Sequence, residues 1–508
     1  MTTTELGPSL GADPAWLADQ LEAALRLQRV AALKSGPASR GLRRERLDRL
    51  MAALLSSTEE LADAVGLDFG NRPRAATLAG EIAMCINDIV GFRRNVGRWM
   101  KSRRPQPLYF RLAGIRAWVE PSPLGVVGVI APWNFPIALA LQPVAAAIAA
   151  GNSVMLKMSE ITPHTADVMR EAIAAHFEPE EFVVVTGGPD VGGRFSALPF
   201  DHLFFTGSAP AGAKVALAAA KNLVPVTLEL GGKNPTVVGR DADLPKAARR
   251  IARARLANSG QICLRPDYVF VPRETQAQFL AAAQAAFREA VPTILDNRDY
   301  CSIVNNRHYQ RITKLVTDAV AKGADIIEVI PDGERFPSPQ TRRIPPTLLS
   351  RITPDMRIMH EEIFGPVLPV LPYDAVGDVI RHVNEGPAPL AVYWFGGDSG
   401  DFRAFKASTR SGGVSRNDFA LHAAVDGLPF GGVGKSGSGY YHGKFGFDTF
   451  SHLRAVAESP RLFSPVSMLS PSFSARLERA LTWFFERQQA RVRKRVDSTA
   501  DTAQRGTK

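Results

Sequence analysis

Uninterrupted apolar runs alternate with stretches of helical periodicity through the middle of the chain. A run such as GVVGVIAP at 125–132 is typical of a strand that is covered on both faces of a parallel sheet. Strands separated by helices indicate βαβ units. The pattern predicts further strands at 153–157, 182–187, 202–207 and 225–230, and helices near 137–150, 163–176 and 209–221.

A second alternating series extends from Leu244 to Phe395. It predicts helices at 245–258, 274–290 and 306–322, and strands at 267–272, 325–330, 366–371 and 390–395. Residues 13–104 are expected to be helical, since apolar residues recur there at intervals of three and four. The β-prone segment 107–120 is expected to form a hairpin or an extended ribbon. Two α/β domains with an extended ribbon fit this pattern best.

Composition indicates an ordinary globular protein. The chain has 508 residues, of which 45% are hydrophobic and 22% charged. Its three cysteines cannot form a disulfide framework, which favours a reducing compartment. The N-terminus lacks the pattern of a secretory signal, and the most apolar run, 136–151, is too short to span a membrane. A cytoplasmic location is therefore expected.

The charge is unevenly distributed along the chain. The net charge is +11, from 61 basic and 50 acidic residues, but residues 476–508 alone contain nine basic and four acidic side chains. Neither zinc-ligand spacing nor an aromatic RNA-binding signature accompanies the excess. Nucleic acid is therefore not an expected partner, and no metal site is expected.

Two glycine-rich segments differ in what they indicate. GVGKSG at 432–437 follows no strand, so its match to a dinucleotide fingerprint is weak. In HLFFTGSAPAG a strand ends and a helix begins, and free N–H groups at a helix start can bind phosphate. Gly207, Ser208 and Gly212 are the candidates there. The alternative is an ordinary turn in which Ser208 caps the helix.

Glu229 and Cys263 are candidates for catalysis. Glu229 ends an apolar strand, at the edge where open α/β sheets bind ligands, and burial would raise its pKa. Its alternative is a salt bridge with Lys233. Cys263 follows a Gly-Gln pair and precedes a strand, so it is either a nucleophile or a small buried hydrophobe.

Several motifs together resemble one family. They occur in the order and spacing of the NAD(P)-dependent aldehyde dehydrogenases, including the 34-residue separation of Glu229 and Cys263. The motifs are PWNFP (132–136), KMSE (157–160), FTGS (205–208), LELGGKNP (228–235), NSGQIC (258–263), EEIFGPV (361–367) and LPFGGVGKSG (428–437). DFGNR (68–72) and YYHGKFGFDTFSH (440–452) resemble the class 3 and coniferyl aldehyde dehydrogenase branch.

The resemblance implies a chemistry. Cys263 would form a thiohemiacetal with the aldehyde, and Asn134 and the Cys263 backbone N–H would stabilise the oxyanion. After hydride transfer, Glu229 would activate the water that hydrolyses the thioester. Cys85 and Cys301 are interpreted as structural.

The resemblance also implies NAD as cofactor, with NADP as the alternative. Lys157 and Glu160 would bind the adenine ribose, and Gly207, Ser208 and Gly212 would lie near the diphosphate. Glu362 and Phe364 would contact the nicotinamide ribose and ring. The expected substrate is an apolar aliphatic or aromatic aldehyde of the coniferyl type.

Three alternative functions would make different demands on the sequence. A CoA-acylating dehydrogenase would resolve the thioester with a thiol and would not need Glu229. A cofactor-free cysteine hydrolase would need a histidine base, and His360 and His422 have no orienting motif. A catalytically silent scaffold protein would not need Cys263, Glu229 and Asn134 together.

The expected fold is that of the aldehyde dehydrogenases. A Rossmann-like cofactor domain would span 1–230, interrupted by a ribbon at 106–121, and an α/β catalytic domain would span 231–412. Residues 413–455 would join the ribbon in a bridging segment that pairs two subunits into a homodimer. Residues 465–508 would form a basic amphipathic extension.

The extension has two interpretations. Its helical pattern from Phe473 to Val492 places Phe473, Leu477, Ala480, Leu481 and Phe484 on one face. That face would dock either on the protein itself or its partner subunit, or on an anionic membrane as a peripheral contact.

Overall fold

The computed structural model describes residues 14–112, 114–425, 427–461, 464 and 475–505. The chain divides into two compact units, of which the first comprises Met1–Lys101 and Pro121–Leu453. The second comprises Ser102–Glu120 and Arg454–Lys508. Phe473, predicted to lie on the apolar face of the extension, is outside the described residues.

The N-terminal region is helical, as predicted. Its helices are α1 (Pro14–Ser35), α2 (Arg40–Ser56), α3 (Thr58–Phe69), α4 (Arg74–Thr77) and α5 (Ala83–Trp99), with a π-helical turn, Leu78–Ile82, between the last two. Within the described residues, Arg74–Trp99 has the length and mean hydropathy, 1.3, of a membrane-crossing helix. One side of this segment, including Cys85, Phe92 and Trp99, is buried in the core, whereas Met84 and Val90 are exposed.

The elements that follow alternate through the first half of the chain. They are α6 (Leu108–Leu112), β1 (Arg116–Pro123), β2 (Val126–Ile130), α7 (Ala138–Ala150), β3 (Ser153–Lys157), α8 (Pro163–Ala174), β4 (Phe182–Val185), α9 (Pro189–Ser196), β5 (His202–Gly207), α10 (Ala209–Ala220) and β6 (Val226–Leu230). Segment 107–120 therefore begins with a short helix rather than with a hairpin.

The second half continues the alternation. Its elements are β7 (Pro235–Val238), α11 (Leu244–Leu256), β8 (Tyr268–Pro272), α12 (Gln276–Ala290), α13 (Asn306–Ala321), β9 (Asp325–Glu328), β10 (Thr347–Ser350), β11 (Val367–Tyr373), α14 (Val376–Glu385), β12 (Ala391–Phe395), α15 (Gly400–Ser408), β13 (Gly413–Arg416), α16 (Leu421–Ala424), β14 (Gly437–Ser438), α17 (Gly443–Thr449), β15 (Ser451–Glu458) and α18 (Ala475–Arg505). Short 3₁₀ turns lie at Ala257–Gly260, Arg273–Thr275 and Arg357–Met359.

Two sheets organise the first unit. One has six strands in the order β14-β6-β5-β2-β3-β4, all parallel except β14. The other has seven strands in the order β13-β12-β7-β8-β11-β10-β9, with β9 antiparallel. Strands β2, β3, β4, β8 and β12 are buried along their whole length, as expected for a sheet covered on both faces. The α/β fold class is confirmed by this mixed architecture and by solved relatives described below.

The expected bridging segment 413–455 is divided among three sheets. β13 extends the seven-stranded sheet, and β14 pairs with β6 in the six-stranded sheet. Within 413–455, only β15 joins the ribbon, pairing with β1 in a two-stranded sheet. In the second unit, Arg454 and Glu120 form an ion pair across these strands, as do Arg116 and Glu458. The pairing of β13 and β14 depends on contacts distant in sequence, which local patterns do not reveal.

Candidate active site

The six-stranded sheet brings the candidate cofactor residues and Glu229 to one edge. Lys157 ends β3, Gly207 ends β5 and Glu229 lies next to the end of β6. β3 and β5 are the parallel neighbours of β2, β6 is a parallel neighbour of β5, and Ile130 is in register with Lys157. The carboxyl ends of parallel strands form the edge at which open α/β sheets bind ligands. The loop that follows β2 contains Asn134 and starts from the same edge.

Glu229 is a buried carboxylate without a hydrogen-bond partner among the described residues. It is 4% exposed, and neither of its side-chain oxygens is bonded. Burial raises its pKa well above the ordinary value. A buried polar group without a partner is costly, so it is a feature to be explained by function.

The salt bridge between Glu229 and Lys233 is not formed. The Lys233 ammonium instead lies 2.5 Å from Asp267 Oδ2 and donates to the carbonyls of Ile358 and Glu361, at 2.7 and 3.1 Å. These three acceptors use all the donors of an ammonium group. Glu229 therefore remains available to a ligand or to water.

A left-handed turn precedes Cys263. Asn258, Ser259 and Gly260 have φ values of 51°, 49° and 74°. Non-glycine residues rarely adopt such angles, and they concentrate at functional sites. A Cβ atom at position 260 would lie 2.3 Å from the carbonyl oxygen of Gly365. Gly260 is therefore required for the chain to pass this close to the loop at Gly365.

Gln261 fixes this turn from inside the core. It is fully buried, and its Nε2 donates to the carbonyls of Asn258 and Ser302, both at 3.0 Å. Its Oε1 accepts a hydrogen bond from the Val304 N–H at 3.0 Å. Gln261 thus fixes the turn before Cys263, because all its side-chain polar atoms are bonded to neighbouring backbone.

Cys263 differs from the other two cysteines. It is half-buried, whereas Cys85 and Cys301 are buried. Asn234 Nδ2 donates to the Cys263 carbonyl at 2.6 Å, and this contact orients the backbone of the cysteine. Burial, then the nearby Glu362 and Glu229 carboxylates, raise the pKa of the Cys263 thiol to about 12. The thiol therefore needs either a proton acceptor or a nearby positive charge before it becomes a nucleophile.

Asn134 lies against the turn that carries Cys263. It is 5% exposed, and its Nδ2 donates to the Gln261 carbonyl at 3.1 Å. Its own carbonyl accepts from Arg72 at 2.9 Å and from Asn258 Nδ2 at 3.3 Å. The structure thus brings Asn134 and the Cys263 turn together.

A buried ion pair supports the Asn134 loop, and sequence reasoning missed it. Arg72 and Glu81 are 2.9 Å apart, with side chains 1% and 0% exposed. Glu81 lies in the π-helical turn, and its Oε2 accepts from the N–H groups of Ile137 and Ala138 at 2.8 and 3.1 Å. The pair therefore ties both Asn134 and the start of α7 to the N-terminal helices. The sequence does contain a sign of this ion pair, because Glu81 is a single acidic residue in an apolar helical run.

Glu362 and Phe364 lie on a loop that meets the residues following Glu229. The Glu362 side chain accepts a hydrogen bond from the Gly232 N–H. A Cβ atom at position 231 would lie 2.1 Å from Glu362 Oε2, so Gly231 is needed for this approach. Burial, with Asp267, raises the pKa of Glu362 to about 8.

Phe364 is held in an uncommon backbone conformation beside the Asn134 loop. Its φ is 52°, and its ring lies edge-on to Trp133 with centroids 5.4 Å apart. Arg311 donates to the carbonyls of Glu362 and Ile363 at 2.9 and 2.7 Å, which fixes the loop. Phe364 is thus joined to the Asn134 loop through Trp133, and Glu362 to the residues that follow Glu229 through Gly232.

Lys157 and Glu160 form an ion pair at the end of β3. The ammonium lies 3.3 Å from Glu160 Oε2, and the side chains are 3% and 40% exposed. Burial lowers the pKa of Lys157, while Glu160 opposes this shift. A partly exposed carboxylate beside a buried ammonium can accept hydrogen bonds from ligand hydroxyl groups.

The turn at Gly207 and Ser208 starts α10. Ser208 is the N-cap residue, but its side chain makes no capping hydrogen bond, and the first turn of α10 contains no acidic residue. The capping-serine alternative is therefore wrong. A Cβ atom at Gly212 would lie 2.6 Å from Leu230 Cδ2, so this glycine serves the packing of α10 against β6. Gly207 likewise lies against the Phe205 ring.

The fold is that of an α/β protein with a buried carboxylate, Glu229, near the carboxyl end of a parallel strand. Comparison with known proteins identifies the family to which this fold belongs. The family model "Aldehyde dehydrogenase family" matches residues 11–456. The chain belongs to the aldehyde dehydrogenase family, and it is an oxidoreductase that acts on aldehydes.

The more particular comparisons indicate the branch. The chain is 46% identical over 455 residues to coniferyl aldehyde dehydrogenase of Pseudomonas sp. (strain HR199 / DSM 7063), covering 89% of this chain and 94% of that protein. Mammalian family 3 members are also among its relatives, at 36–37% identity. The predicted resemblance to this branch is confirmed.

Solved structures share the fold over nearly the whole chain. The substrate-bound state of Staphylococcus aureus AldH has a TM-score of 0.85 at 34% identity, covering 91% of this chain and 99% of that one. The indole-3-acetaldehyde dehydrogenase AldA of P. syringae, in complex with NAD+, has a TM-score of 0.78 at 25% identity, covering 87% and 89%.

Proposed function

We propose that the protein oxidises an apolar aliphatic or aromatic aldehyde, of which coniferyl-type aldehydes are the first candidates, to the carboxylic acid with NAD. The observation that carries the proposal is the combination of a half-buried Cys263 with a buried Glu229 that has no partner in the described structure. A nucleophile and a proton acceptor are the two groups that thioester formation and hydrolysis require.

In the first half of the reaction, Cys263 is the nucleophile. The thiol gives up its proton to solvent water, its sulfur bonds to the aldehyde carbon, and the carbonyl oxygen becomes an oxyanion. The Asn134 side-chain amide and the Cys263 backbone N–H donate hydrogen bonds to that oxyanion. NAD, when bound, supplies the hydride acceptor for this step. Loss of hydride from the carbon leaves the acyl group on sulfur as a thioester.

In the second half, Glu229 is the base. It takes a proton from a water molecule, whose oxygen attacks the thioester carbon. The carbon–sulfur bond breaks, the carboxylic acid leaves, and the thiol is regenerated. The raised pKa of Glu229 makes its carboxylate a stronger base toward water than an ordinary carboxylate.

The residues at the sheet edge fit a dinucleotide. Ser208 leaves the α10 N-terminus without a side-chain cap, and an uncapped N-terminus without acidic residues favours a diphosphate. Lys157 and Glu160 would bind the adenine ribose hydroxyls. Glu362 and Phe364 would hold the nicotinamide ribose and ring, and a cationic ring near Cys263 would favour the thiolate.

Glu160 should make the enzyme prefer NAD to NADP by about tenfold or more in kcat/KM, since its carboxylate repels a 2′-phosphate. Glu160→Gln should reduce this preference about tenfold, chiefly by improving kcat/KM for NADP. Initial rates with both cofactors test this. As a control, Glu171→Gln makes the same change at an exposed residue of α8. It should leave the ratio of kcat/KM for NAD to kcat/KM for NADP unchanged. A wild-type enzyme with the higher kcat/KM for NADP would refute the assignment.

An aromatic wall supports the substrate assignment. Phe430 is buried in the same core cluster against which Cys263 packs, and its ring stacks on His442 with centroids 5.1 Å apart. Burial, followed by the nearby Glu229 and Cys263, raises the pKa of Tyr441. Apolar rings beside the nucleophile favour apolar aldehydes through buried area.

A panel of aldehydes tests this substrate class. The kcat/KM for coniferyl aldehyde and cinnamaldehyde should exceed that for acetaldehyde about 100-fold, because a buried ring adds several kcal/mol of transition-state binding. NADH absorbance measures the rates. Chromatography should detect the free carboxylic acid without coenzyme A. An equal or higher kcat/KM for acetaldehyde would contradict the assignment, and a requirement for coenzyme A would favour the acylating alternative.

The hydrolase alternative would need a histidine base, and His422 does not suit that role. His422 Nδ1 lies 2.8 Å from Ser415 Oγ, and burial lowers the pKa of His422 to about 4.

A homodimer, joined through the bridging segments, also remains our proposal. Exposed apolar side chains on and near the ribbon, such as Leu112 and Leu453, support it. A cytoplasmic location stays a prediction.

A further inference from the structure

The C-terminal helix α18 has an exposed apolar face that the aldehyde chemistry does not explain. The helix runs from Ala475 to Arg505, and its described side chains, 475–496, are almost all exposed. The structure describes the helix from Ala475 onward, and the helix continues well beyond Val492, where the predicted pattern ends. A long amphipathic helix stands out when its apolar side is uncovered, because soluble domains normally bury such a side.

We name the exposed apolar side of α18 the apolar stripe. The apolar stripe consists of five residues, at positions 481, 484, 485, 492 and 496. This spacing places them within about one third of the helix circumference. They are between 44% and 61% exposed: Leu481, Phe484, Phe485, Val492 and Val496. The two phenylalanine rings lie against each other, with centroids 5.8 Å apart.

Basic residues surround the apolar stripe. Residues 475–496 contain seven basic and two acidic side chains, and five of the basic ones lie between 487 and 495. Trp483 points away from the apolar stripe, and the Arg487 guanidinium lies over its ring at 5.2 Å. Arginine and lysine side chains are long enough to lie along apolar surface while their charges reach into a polar layer.

This charge pattern selects among the surfaces that could cover the apolar stripe. A second α18 would bring two sets of cations together, which costs energy at short range. An anionic bilayer instead offers an apolar interior bounded by negatively charged headgroups. That combination matches an apolar stripe flanked by basic residues.

We propose that α18 lies in the plane of an anionic lipid surface, with the apolar stripe at the acyl boundary and the basic residues on the headgroup phosphates. This binding is independent of the proposed catalytic function. It concentrates the enzyme where apolar aldehydes partition. The helix is too charged to cross the bilayer, so the contact is peripheral and reversible.

Co-sedimentation of the full-length protein with vesicles tests the proposal. Vesicles of phosphatidylglycerol and phosphatidylcholine in equal amounts should bind the protein at about 50 mM salt, and binding should be lost at about 500 mM. Pure phosphatidylcholine vesicles should bind at least about tenfold less. Dehydrogenase activity on a soluble aldehyde should be the same for all variants.

Three variants separate the contributions. The double substitution Phe484→Ser with Phe485→Ser should weaken partitioning at least about 100-fold by removing the rings of the apolar stripe. The triple substitution Arg493→Gln, Lys494→Gln and Arg495→Gln should weaken it about 100-fold, at roughly fivefold per charge. Trp483→Ala, an aromatic control off the apolar stripe, should change partitioning less than about threefold.

A second control matches the lost charge. Arg288→Gln, Lys314→Gln and Arg381→Gln remove three exposed cations elsewhere, and binding should persist. Failure of the wild type to bind anionic vesicles would overturn the proposal. A loss of vesicle binding in this control as large as in the triple variant of α18 would also overturn it. If the phenylalanine variant instead changes the sedimentation mass without any lipid binding, the apolar stripe is a contact between protein copies and the proposal is wrong.

Discussion

Cys263→Ser should reduce dehydrogenase turnover at least about 10⁴-fold, because a hydroxyl group is a far weaker nucleophile than a thiolate. The substitution removes only the reactivity of the sulfur. The contacts that orient residue 263 are made by its backbone, through Asn234 Nδ2, and they remain. Steady-state NADH production with a preferred aldehyde measures the loss.

Two controls accompany this variant. NADH binding, followed by fluorescence, should stay within about threefold of wild type, since position 263 is not among the proposed cofactor contacts. Cys85→Ser replaces a buried thiol in the core, whose sulfur donates to the backbone carbonyl of Ile137. Its turnover should stay within about fivefold of wild type. Wild-type turnover by Cys263→Ser would remove Cys263 from the mechanism.

Glu229→Gln should separate the two halves of the reaction. We expect a burst of about one equivalent of NADH per active site, followed by turnover about 10³-fold slower, because the amide cannot take a proton from water. The substitution keeps the size and shape of a side chain that has no polar partner in the described structure. Stopped-flow absorbance measures the burst and the slow phase.

Hydroxylamine provides the control for Glu229→Gln. This strong nucleophile attacks a thioester without a general base, so it should restore NADH production in the variant. A misfolded variant would show neither burst nor rescue. Loss of the burst together with intact cofactor binding would mean that Glu229 acts before the thioester forms, which contradicts the role proposed for it.

The strands near the site could be predicted because buried parallel strands are apolar along their whole length. β3 and β5 have the bounds that the pattern gave, 153–157 and 202–207. β7 was missed because it is only four residues long and begins with Pro235, which is uncommon in strand interiors. α9 was missed because Gly192 and Gly193 disfavour a helix, and tertiary packing of Val191 and Phe195 outweighs this.

The candidate site residues could be proposed from motifs, but the groups that support them could not. The left-handed backbone at Asn258 and Ser259 has no local sequence signal, since only Gly260 indicates positive φ. The Arg72–Glu81 pair joins a residue between α3 and α4 and a residue of the π-helical turn to the loop at Asn134, and only the folded chain brings them together. Gly212, expected near the diphosphate, also has a packing role that the motif did not reveal, since a Cβ atom there would meet Leu230.

The most direct test of the mechanism is mass spectrometry of the Glu229→Gln variant after it reacts with NAD and coniferyl aldehyde. We expect one acyl group per chain, located by peptide mapping on Cys263 and removed by hydroxylamine. The adduct should be absent when Cys263 is also replaced by serine. An unmodified Cys263 after a full NADH burst, or an acyl group on another residue, would contradict the account.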